Sequence, residues 1–201
     1  MVTDLDASES APVSADREQL LVELVDRAGR ALGACPVREA HSPPGRLHRA
    51  FSVLLYDSRG RALLQQRAAV KTRFALRWSN TCCGHPAPGQ DVAAAAAIRL
   101  AEELGITAEQ ITPLVEAGVF RYRADDAATK HIEYEWDHVF VAMLADGAPP
   151  PVPDENEVHE VRWASPGPLA AEIAARPADY TPWLAGVLEV AAEVGPEGMR
   201  S

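Results

Sequence analysis

The stretch Trp78-Ser79-Asn80-Thr81-Cys82-Cys83-Gly84-His85-Pro86 places a thiol and an imidazole two residues apart in a segment that favours turns. Positions two apart on an extended segment point to the same face, so Cys83 and His85 can line one pocket. Gly84 between them lets the backbone approach a ligand closely. An isolated Cys-x-His pair is more often a small buried residue beside a turn histidine. Its meaning therefore depends on the rest of the chain.

The composition limits the classes of function. The 201 residues are 47% hydrophobic and 24% charged, which is typical of a globular protein of one domain. A formal net charge of -10 argues against nonspecific binding to nucleic acid or an anionic membrane, because both need a surplus of Lys and Arg. No apolar run approaches the roughly 20 residues that span a bilayer, and no secretory signal is visible. Three cysteines make a poor disulfide framework, so a cytoplasmic location is expected.

Periodicity and turn residues predict the organisation of the chain. Residues 1–18 are rich in Ser, Ala, Asp and Pro, which predicts a disordered tail before a single domain over 19–201. The patterns predict strands at 20–26, 31–37, 47–57, 61–66, 115–122, 132–144 and 158–163, and helices at 91–104, 166–175 and 183–194. Strands that mostly adjoin in sequence, with helices interspersed, predict an α+β fold in which helices sandwich a mixed sheet.

One group of polar residues has the chemistry of a metal site. Glu133 and Glu135 are two residues apart on a predicted strand, so both carboxylates leave the same face. His41 and His48 flank the turn Pro43-Pro44-Gly45, and imidazoles with carboxylates suit a transition metal better than Ca²⁺. Buried carboxylates need a cation, but a Glu-x-Glu pair is more often a solvated strand face. Spacing alone leaves both interpretations open.

Charged residues gather in two further places. Arg99 and Glu102-Glu103 lie near the end of a predicted helix, at the spacing of ordinary surface ion pairs, which is the favoured interpretation of these residues taken alone. The loop before Cys83 carries four basic residues, Arg67, Lys71, Arg73 and Arg77. A local basic pocket of this kind can bind an anionic small molecule on an otherwise acidic protein.

The motifs together resemble a known family. The run Trp78-x-Asn80-x-Cys82-Cys83-Gly84-His85-Pro86, followed by Gly89 and by Arg99-Leu100-x-Glu102-Glu103-Leu104-Gly105-Ile106, closely resembles the type I isopentenyl-diphosphate isomerases. The likeness extends to Arg46-Leu47-His48-Arg49-Ala50-Phe51-Ser52, Phe120-Arg121-Tyr122-Arg123-Ala124, Glu133-Tyr134-Glu135 and Thr181-Pro182-Trp183, over about residues 19–190. It implies a Nudix-type fold and interconversion of isopentenyl and dimethylallyl diphosphate.

The resemblance also implies a role for each chemical group. Cys83 and Glu135 would be the acid–base pair, Tyr122 would hydrogen-bond Glu135 or its proton-relay water, and Trp183 would face the developing cation. The family's ligands for a divalent ion, here Mn²⁺, Zn²⁺ or Mg²⁺, match His41, His48, His85, Glu133 and Glu135.

The same resemblance implies a binding site for the diphosphate. The phosphate-contacting positions match Arg67, Lys71 and Arg99. Glu103, together with Cys83, is assigned to a Mg²⁺ ion that binds with the substrate diphosphate. A family lysine position falls at Val37, and Arg38 beside it is a candidate replacement.

Two other functions stay open on the residues alone. A Nudix hydrolase of a nucleoside diphosphate derivative needs several carboxylates on the helix, but Ile98-Arg99 replaces its Arg-Glu pair and only Glu102 and Glu103 remain. A noncatalytic metal-stabilised binding module leaves Cys83 and Trp183 without a role. The expected partner is a small isoprenoid diphosphate, with no nucleic acid, no membrane insertion and a monomer favoured.

Overall fold

The computed structural model describes residues 17–198. The predicted tail over 1–18 therefore lies outside the described residues, apart from Arg17 and Glu18. The strands in chain order are β1 (Leu21–Val25), β2 (Ala31–Pro36), β3 (His48–Tyr56), β4 (Ala62–Arg67), β5 (Trp78–Ser79), β6 (Cys82–Gly84), β7 (Val115–Asp125), β8 (Ile132–Met143) and β9 (Val158–Ala164). The helices are α1 (Val37–His41), α2 (Val92–Leu104), α3 (Pro166–Ala175), α4 (Leu184–Ala192) and α5 (Gly195–Gly198).

β3 lies at the centre of a mixed sheet. It runs parallel to β8, with His48 opposite Glu135 at one end and Tyr56 opposite Met143 at the other. Three strands share its second edge in turn: β1 pairs with its start, β6 with its middle and β4 with its end. β7 is antiparallel to β8, and β9 and β5 pair with β4. This arrangement brings β6, which carries Cys83, onto the strand that also borders the β8 carboxylates.

Helices cover both faces of the sheet. Leu54 of β3 belongs to an apolar cluster with Leu184 and Val187 of α4. The alternate side chains of β3 point to the opposite face of the sheet. There Phe51 and Leu55 pack in a second cluster with Leu100 and Leu104 of α2. The predicted α+β arrangement is confirmed. None of the helices within residues 17–198 is long and apolar enough to cross a membrane.

α2 follows directly from its sequence signals. The Asp91 side chain accepts a hydrogen bond from the backbone N–H of Ala94 at 2.8 Å and so caps the first turn. Gly105 ends the helix at φ 64°, a left-handed conformation that costs glycine little, and its N–H bonds to the carbonyl of Ala101. The helix is thereby fixed at both ends, which places its polar residues in a constant register against the sheet.

Several boundaries differ from the sequence prediction. The second strand ends at Pro36 and not at Val37, because proline has no N–H for strand pairing and its fixed φ suits the start of a helix. The helix α1 that follows was not predicted. Two short strands, β5 and β6, occupy the segment expected to be a turn, β7 continues to Asp125, and α4 begins one residue later than expected.

Candidate active site

Three histidines from three different elements meet at one point. His41 ends α1, His48 begins β3 and His85 follows β6, and their ring centroids lie 4.7, 5.1 and 4.9 Å apart. His41 Nδ1 is 2.7 Å from the carbonyl of Val37, and His48 Nδ1 is 2.7 Å from that of Arg46. Because a carbonyl only accepts, both Nδ1 atoms carry the proton. The Nε2 atoms of these rings are left to face the cluster.

Glu135 joins this cluster from β8. Its Oε1 lies 2.9 Å from His85 Nε2 and 3.6 Å from His48 Nε2. The other oxygen, Oε2, accepts a hydrogen bond of 2.7 Å from the hydroxyl of Tyr122 on β7. The parallel pairing of β3 with β8 and the antiparallel pairing of β7 with β8 place His48 and Tyr122 on either side of Glu135.

Glu133 lies next to the same cluster but has different partners. Its Oε2 is 2.8 Å from His41 Nε2, and its Oε1 accepts from Arg73 Nε at 3.1 Å. Arg73 in turn donates to Glu18 at 2.7 Å. The expected common face of Glu133 and Glu135 is confirmed, since both carboxylates are buried beside the histidines.

The four side chains His41, His48, His85 and Glu135 fit a metal ion. Their candidate ligand atoms all lie within 4.8 Å of one another. The buried Nε2 atoms of His41 and His48 make no well-aligned hydrogen bond, although oxygens of Glu133 and Glu135 lie 2.8 and 3.6 Å from them. A buried polar atom in this state is costly unless another group satisfies it. Neutral imidazoles with one carboxylate form a donor set for a borderline divalent ion such as Zn²⁺ or Mn²⁺.

The cluster holds its carboxylates ionised. Burial by itself would raise the pKa of Glu135, but the imidazoles of His48 and His85, which face its carboxylate, outweigh burial and hold that pKa well below the usual range. Burial is likewise outweighed at Glu133, where the attraction of His41 leaves the pKa at about 2. Burial lowers the pKa of His85 to about 4. At His41 burial is outweighed by the attraction of Glu133, which raises the pKa. Metal binding requires neutral imidazoles, so an ion at this cluster would displace the proton of His41.

Cys83 lines a pocket together with His85 and Glu135. Arg67 Nη1 is 3.8 Å from its Sγ, and the Arg67 guanidinium carbon is 5.7 Å from the ring centroid of Trp183. Burial raises the pKa of Cys83 to about 12, because it outweighs the attraction of Arg67. Trp183 is tilted against Tyr122 at a centroid distance of 5.8 Å. A neutral thiol, a phenol, an indole and the Glu135 carboxylate therefore line one pocket.

The basic side of the pocket is formed by the residues expected to contact phosphate. Arg99 is ion-paired with Glu103 and lies 3.4 Å from Glu157, which also pairs with Lys71. Gln65 donates to the second oxygen of Glu103 at 2.8 Å. Surface pairing is wrong for Arg99 and Glu103, which are only 9% and 3% exposed, because this face of α2 lies under the pocket.

Some pocket residues had no sequence assignment. The sequence places Arg73 only in the basic loop, and Arg17, which is 3.1 Å from Glu157, lies in the predicted tail. Glu157 follows a proline-rich connector that gave no functional signal. The candidate replacement at Arg38 is wrong: this side chain is exposed and absent from the pocket wall, which Val37 joins instead.

Comparison with known proteins agrees with the geometry. The NUDIX domain model matches residues 46–184. The isopentenyl-diphosphate Delta-isomerase of Nocardia farcinica is 65% identical over 170 residues, 85% of this chain and 93% of that protein. The isopentenyl-diphosphate Delta-isomerase of Streptomyces coelicolor is 45% identical over 176 residues, 87% of this chain and 84% of that protein.

The fold has solved counterparts as well. DR0079 from Deinococcus radiodurans superimposes with a TM-score of 0.67 at 19% identity, covering 84% of this chain and 97% of the other. At this identity the likeness shows the fold alone, whereas the sequence relatives show the subgroup. The chain belongs to the Nudix family and, within it, to the isopentenyl-diphosphate Delta-isomerases.

Proposed function

We propose that the chain interconverts isopentenyl and dimethylallyl diphosphate with Cys83 and Glu135 as its acid–base pair. The observation that carries this proposal is the pairing of a neutral thiol and an ionised carboxylate in one pocket. An unactivated alkene must be protonated at one carbon and deprotonated at a neighbouring carbon. Two groups that start in opposite protonation states meet both needs.

The proton movements balance between these two groups. The Cys83 thiol gives its proton to the terminal alkene carbon, a C–H bond forms, and positive charge develops on the tertiary carbon. Glu135 then removes a proton from the neighbouring carbon, and the electrons of that C–H bond form the new double bond. In the reverse reaction the two roles exchange. Tyr122 holds Oε2, the oxygen that the histidines leave free, which favours Oε2 as the proton acceptor.

Trp183 supports this proposal through its ring. The indole borders the pocket beside Arg67 and Tyr122 and is 3% exposed. An aromatic face attracts a cation more strongly when water is excluded. Since positive charge develops only during the reaction, this attraction stabilises the transition state more than the substrate.

The diphosphate would be bound at the basic side of the pocket. Arg67, Lys71 and Arg99 offer cationic donors to phosphate oxygens. The contacts of Glu157 with Lys71 and Arg99 keep these cations in place, and a diphosphate would compete for them. Glu103 and Cys83 are the residues we assign to the Mg²⁺ that accompanies the diphosphate.

A second divalent ion, Mn²⁺, Zn²⁺ or Mg²⁺, would be held by His41, His48, His85, Glu133 and Glu135. The ligand atoms of the three histidines and Glu135 lie within 4.8 Å of one another, and Glu133 lies 2.8 Å from His41. Its charge would fix the pKa and the orientation of the Glu135 carboxylate. We further propose that the chain is a monomer. The free thiols of Cys35, Cys82 and Cys83 support a reducing, cytoplasmic compartment.

The test is a product analysis with isopentenyl diphosphate and Mg²⁺. We expect dimethylallyl diphosphate by NMR, with no release of inorganic phosphate. A parallel incubation with nucleoside diphosphate derivatives tests the hydrolase alternative. Phosphate or nucleoside monophosphate in place of the isomer would identify a hydrolase. If neither incubation gave a product, the chain would be a noncatalytic binding module.

A further inference from the structure

Asn80 is a fully buried polar residue that the proposed chemistry leaves without a role. Its side chain lies between β6 and the start of α4. Its Oδ1 accepts hydrogen bonds from Trp183 Nε1 and from Ser79 Oγ, both at 3.0 Å. Its Nδ2 donates to the carbonyl of Cys82 at 2.6 Å and to that of Val53 at 3.4 Å. Every strong hydrogen-bonding capacity of the amide is therefore directed at a specific partner.

The chemistry of the partners determines the orientation of this amide. An indole N–H only donates and a backbone carbonyl only accepts, so the oxygen must face Trp183 and the nitrogen must face Cys82. Asparagine offers both functions in one short planar group. Aspartate at the same position would turn a second acceptor toward the Cys82 carbonyl. The contact thus requires the residue type that the sequence has.

The two segments that Asn80 joins carry the reactive groups. Cys82 precedes Cys83 on β6, and Trp183 precedes α4. A second, parallel connection exists, because Thr181 Oγ1 donates to Ser79 Oγ at 3.2 Å and its N–H donates to the Trp78 carbonyl at 2.8 Å. Asn80 alone among these contacts reaches the indole itself.

We propose that Asn80 is a positioning residue of the isomerisation, which sets the Trp183 ring relative to the Cys83 thiol. It does so by holding the indole N–H at one end of its amide and the Cys82 carbonyl at the other. This inference rests on the function proposed for Cys83 and Trp183. A displacement of about 1 Å can cost on the order of a hundredfold in rate. Loss of the amide should therefore lower kcat about tenfold or more and change KM by less than about threefold, because the phosphate contacts are untouched.

The first test is spectroscopic and needs no substrate. The chain has four tryptophans, and the indole N–H signal of Trp183 is identified by its loss in Trp183→Phe. In Asn80→Ala this signal should move upfield and exchange faster with solvent. The matched control is Thr81→Val, because Thr81 is equally buried but its hydroxyl bonds to Leu63 and Leu55. In that variant the Trp183 signal should stay in place.

The second test is a kinetic cycle with the same variants. Asn80→Ala should reduce kcat far more than Thr81→Val does, even where both lower the melting temperature equally. Trp183→Phe removes the indole N–H that Asn80 accepts from. In this background, the factor by which Asn80→Ala lowers kcat should be at least about threefold smaller than in the unaltered protein, because the effects of contacting residues are coupled. If Asn80→Ala does not fold, Asn80→Asp replaces it. Aspartate keeps the oxygen that accepts from the Trp183 indole N–H, so the position of that signal should not change. The variant should still have a lower kcat, because aspartate cannot donate a hydrogen bond to the Cys82 carbonyl.

The outcomes separate this inference from the proposed function. If the unaltered protein does not isomerise isopentenyl diphosphate, the proposed function fails. If it does, an Asn80→Ala or Asn80→Asp variant with unchanged kcat overturns the positioning role alone. Two results would show that Asn80 only stabilises the fold. One is a kcat loss in the double variant that equals the product of the losses in Asn80→Ala and Trp183→Phe. The other is a kcat loss in Thr81→Val equal to that in Asn80→Ala.

Discussion

At the scale of single residues, the N–H group and the ring of Trp183 lie in different environments. Its N–H is buried against Asn80, while its ring borders the pocket. Phe74 meets the ring edge-on, with centroids 5.3 Å apart and planes at 89°, and Tyr122 is tilted against it. A ring held on several sides offers a cation one fixed face. This makes packing and catalysis separable by substitution.

We predict that kcat falls in the order Trp183, Trp183→Phe, Trp183→Leu. Phenylalanine keeps an aromatic face with a weaker quadrupole, and leucine keeps apolar bulk without a π system. The leucine variant should lose about 2 kcal/mol of transition-state stabilisation, which is about thirtyfold in kcat. An ammonium analogue of the cationic intermediate should lose affinity in the same order. If the two variants had equal kcat, or if kcat fell only in proportion to the melting temperature, Trp183 would have a packing role alone.

Without the family resemblance, the sequence predicts only those site residues whose relation is local. Cys83 and His85 are two apart in one motif, and Glu133 and Glu135 are two apart on one strand, so backbone geometry alone relates the members of each pair. Glu157 was missed because it reaches the pocket only when the loop before β9 folds over Lys71 and Arg99. Such contacts between distant segments leave no periodic signal.

At the scale of elements, the cluster of His41, His48, His85 and Glu135 depends on the parallel pairing of β3 with β8. That pairing sets His48 opposite Glu135, and α1 then places His41 above them. The helix α1 was not predicted because its five residues are too few for a helical period to emerge from sequence. The clear prediction of α2, in contrast, rested on a cap at each end.

We predict that His48→Ala and Glu133→Ala lower metal content and thermal stability together. The first substitution removes a ligand, and the second leaves His41 and Arg73 without their shared carboxylate. Metal analysis of the purified variants and melting curves with and without added metal measure both effects. His159→Ala is the matched control, because this histidine is exposed on β9. Full metal occupancy in His48→Ala would show that His48 is not a ligand.

At the scale of the whole molecule, His85 links stability to pH. His85 has a folded-state pKa of about 4, below the value of about 6.5 for an unfolded histidine. Its neutral form therefore stabilises the folded metal-free protein above about pH 6.5, and this contribution is lost as the pH falls toward 4. Glu133 acts in the same direction at lower pH, because its depressed pKa favours the folded state above about pH 4.5.

We predict that the metal-free protein loses stability between pH 6.5 and 4, by at most about 1.4 kcal/mol per pH unit from His85. Denaturant unfolding at several pH values measures this loss. His85→Gln, which does not titrate in this range, should show a shallower dependence than the unaltered protein. Identical slopes in both proteins would contradict the depressed pKa of His85.

In the proposed reaction, Cys83 transfers a proton to substrate carbon. The most direct test of this transfer is deuterium incorporation into dimethylallyl diphosphate in deuterated water, measured by mass spectrometry for the unaltered protein, Cys82→Ala and Cys83→Ala. Cys82 is fully buried in the apolar cluster against α2, so its substitution should affect stability more than turnover. We expect deuterated product from the first two proteins and none from Cys83→Ala that retains its fold and metal. Comparable deuterated product from Cys83→Ala would show that Cys83 is not the proton donor.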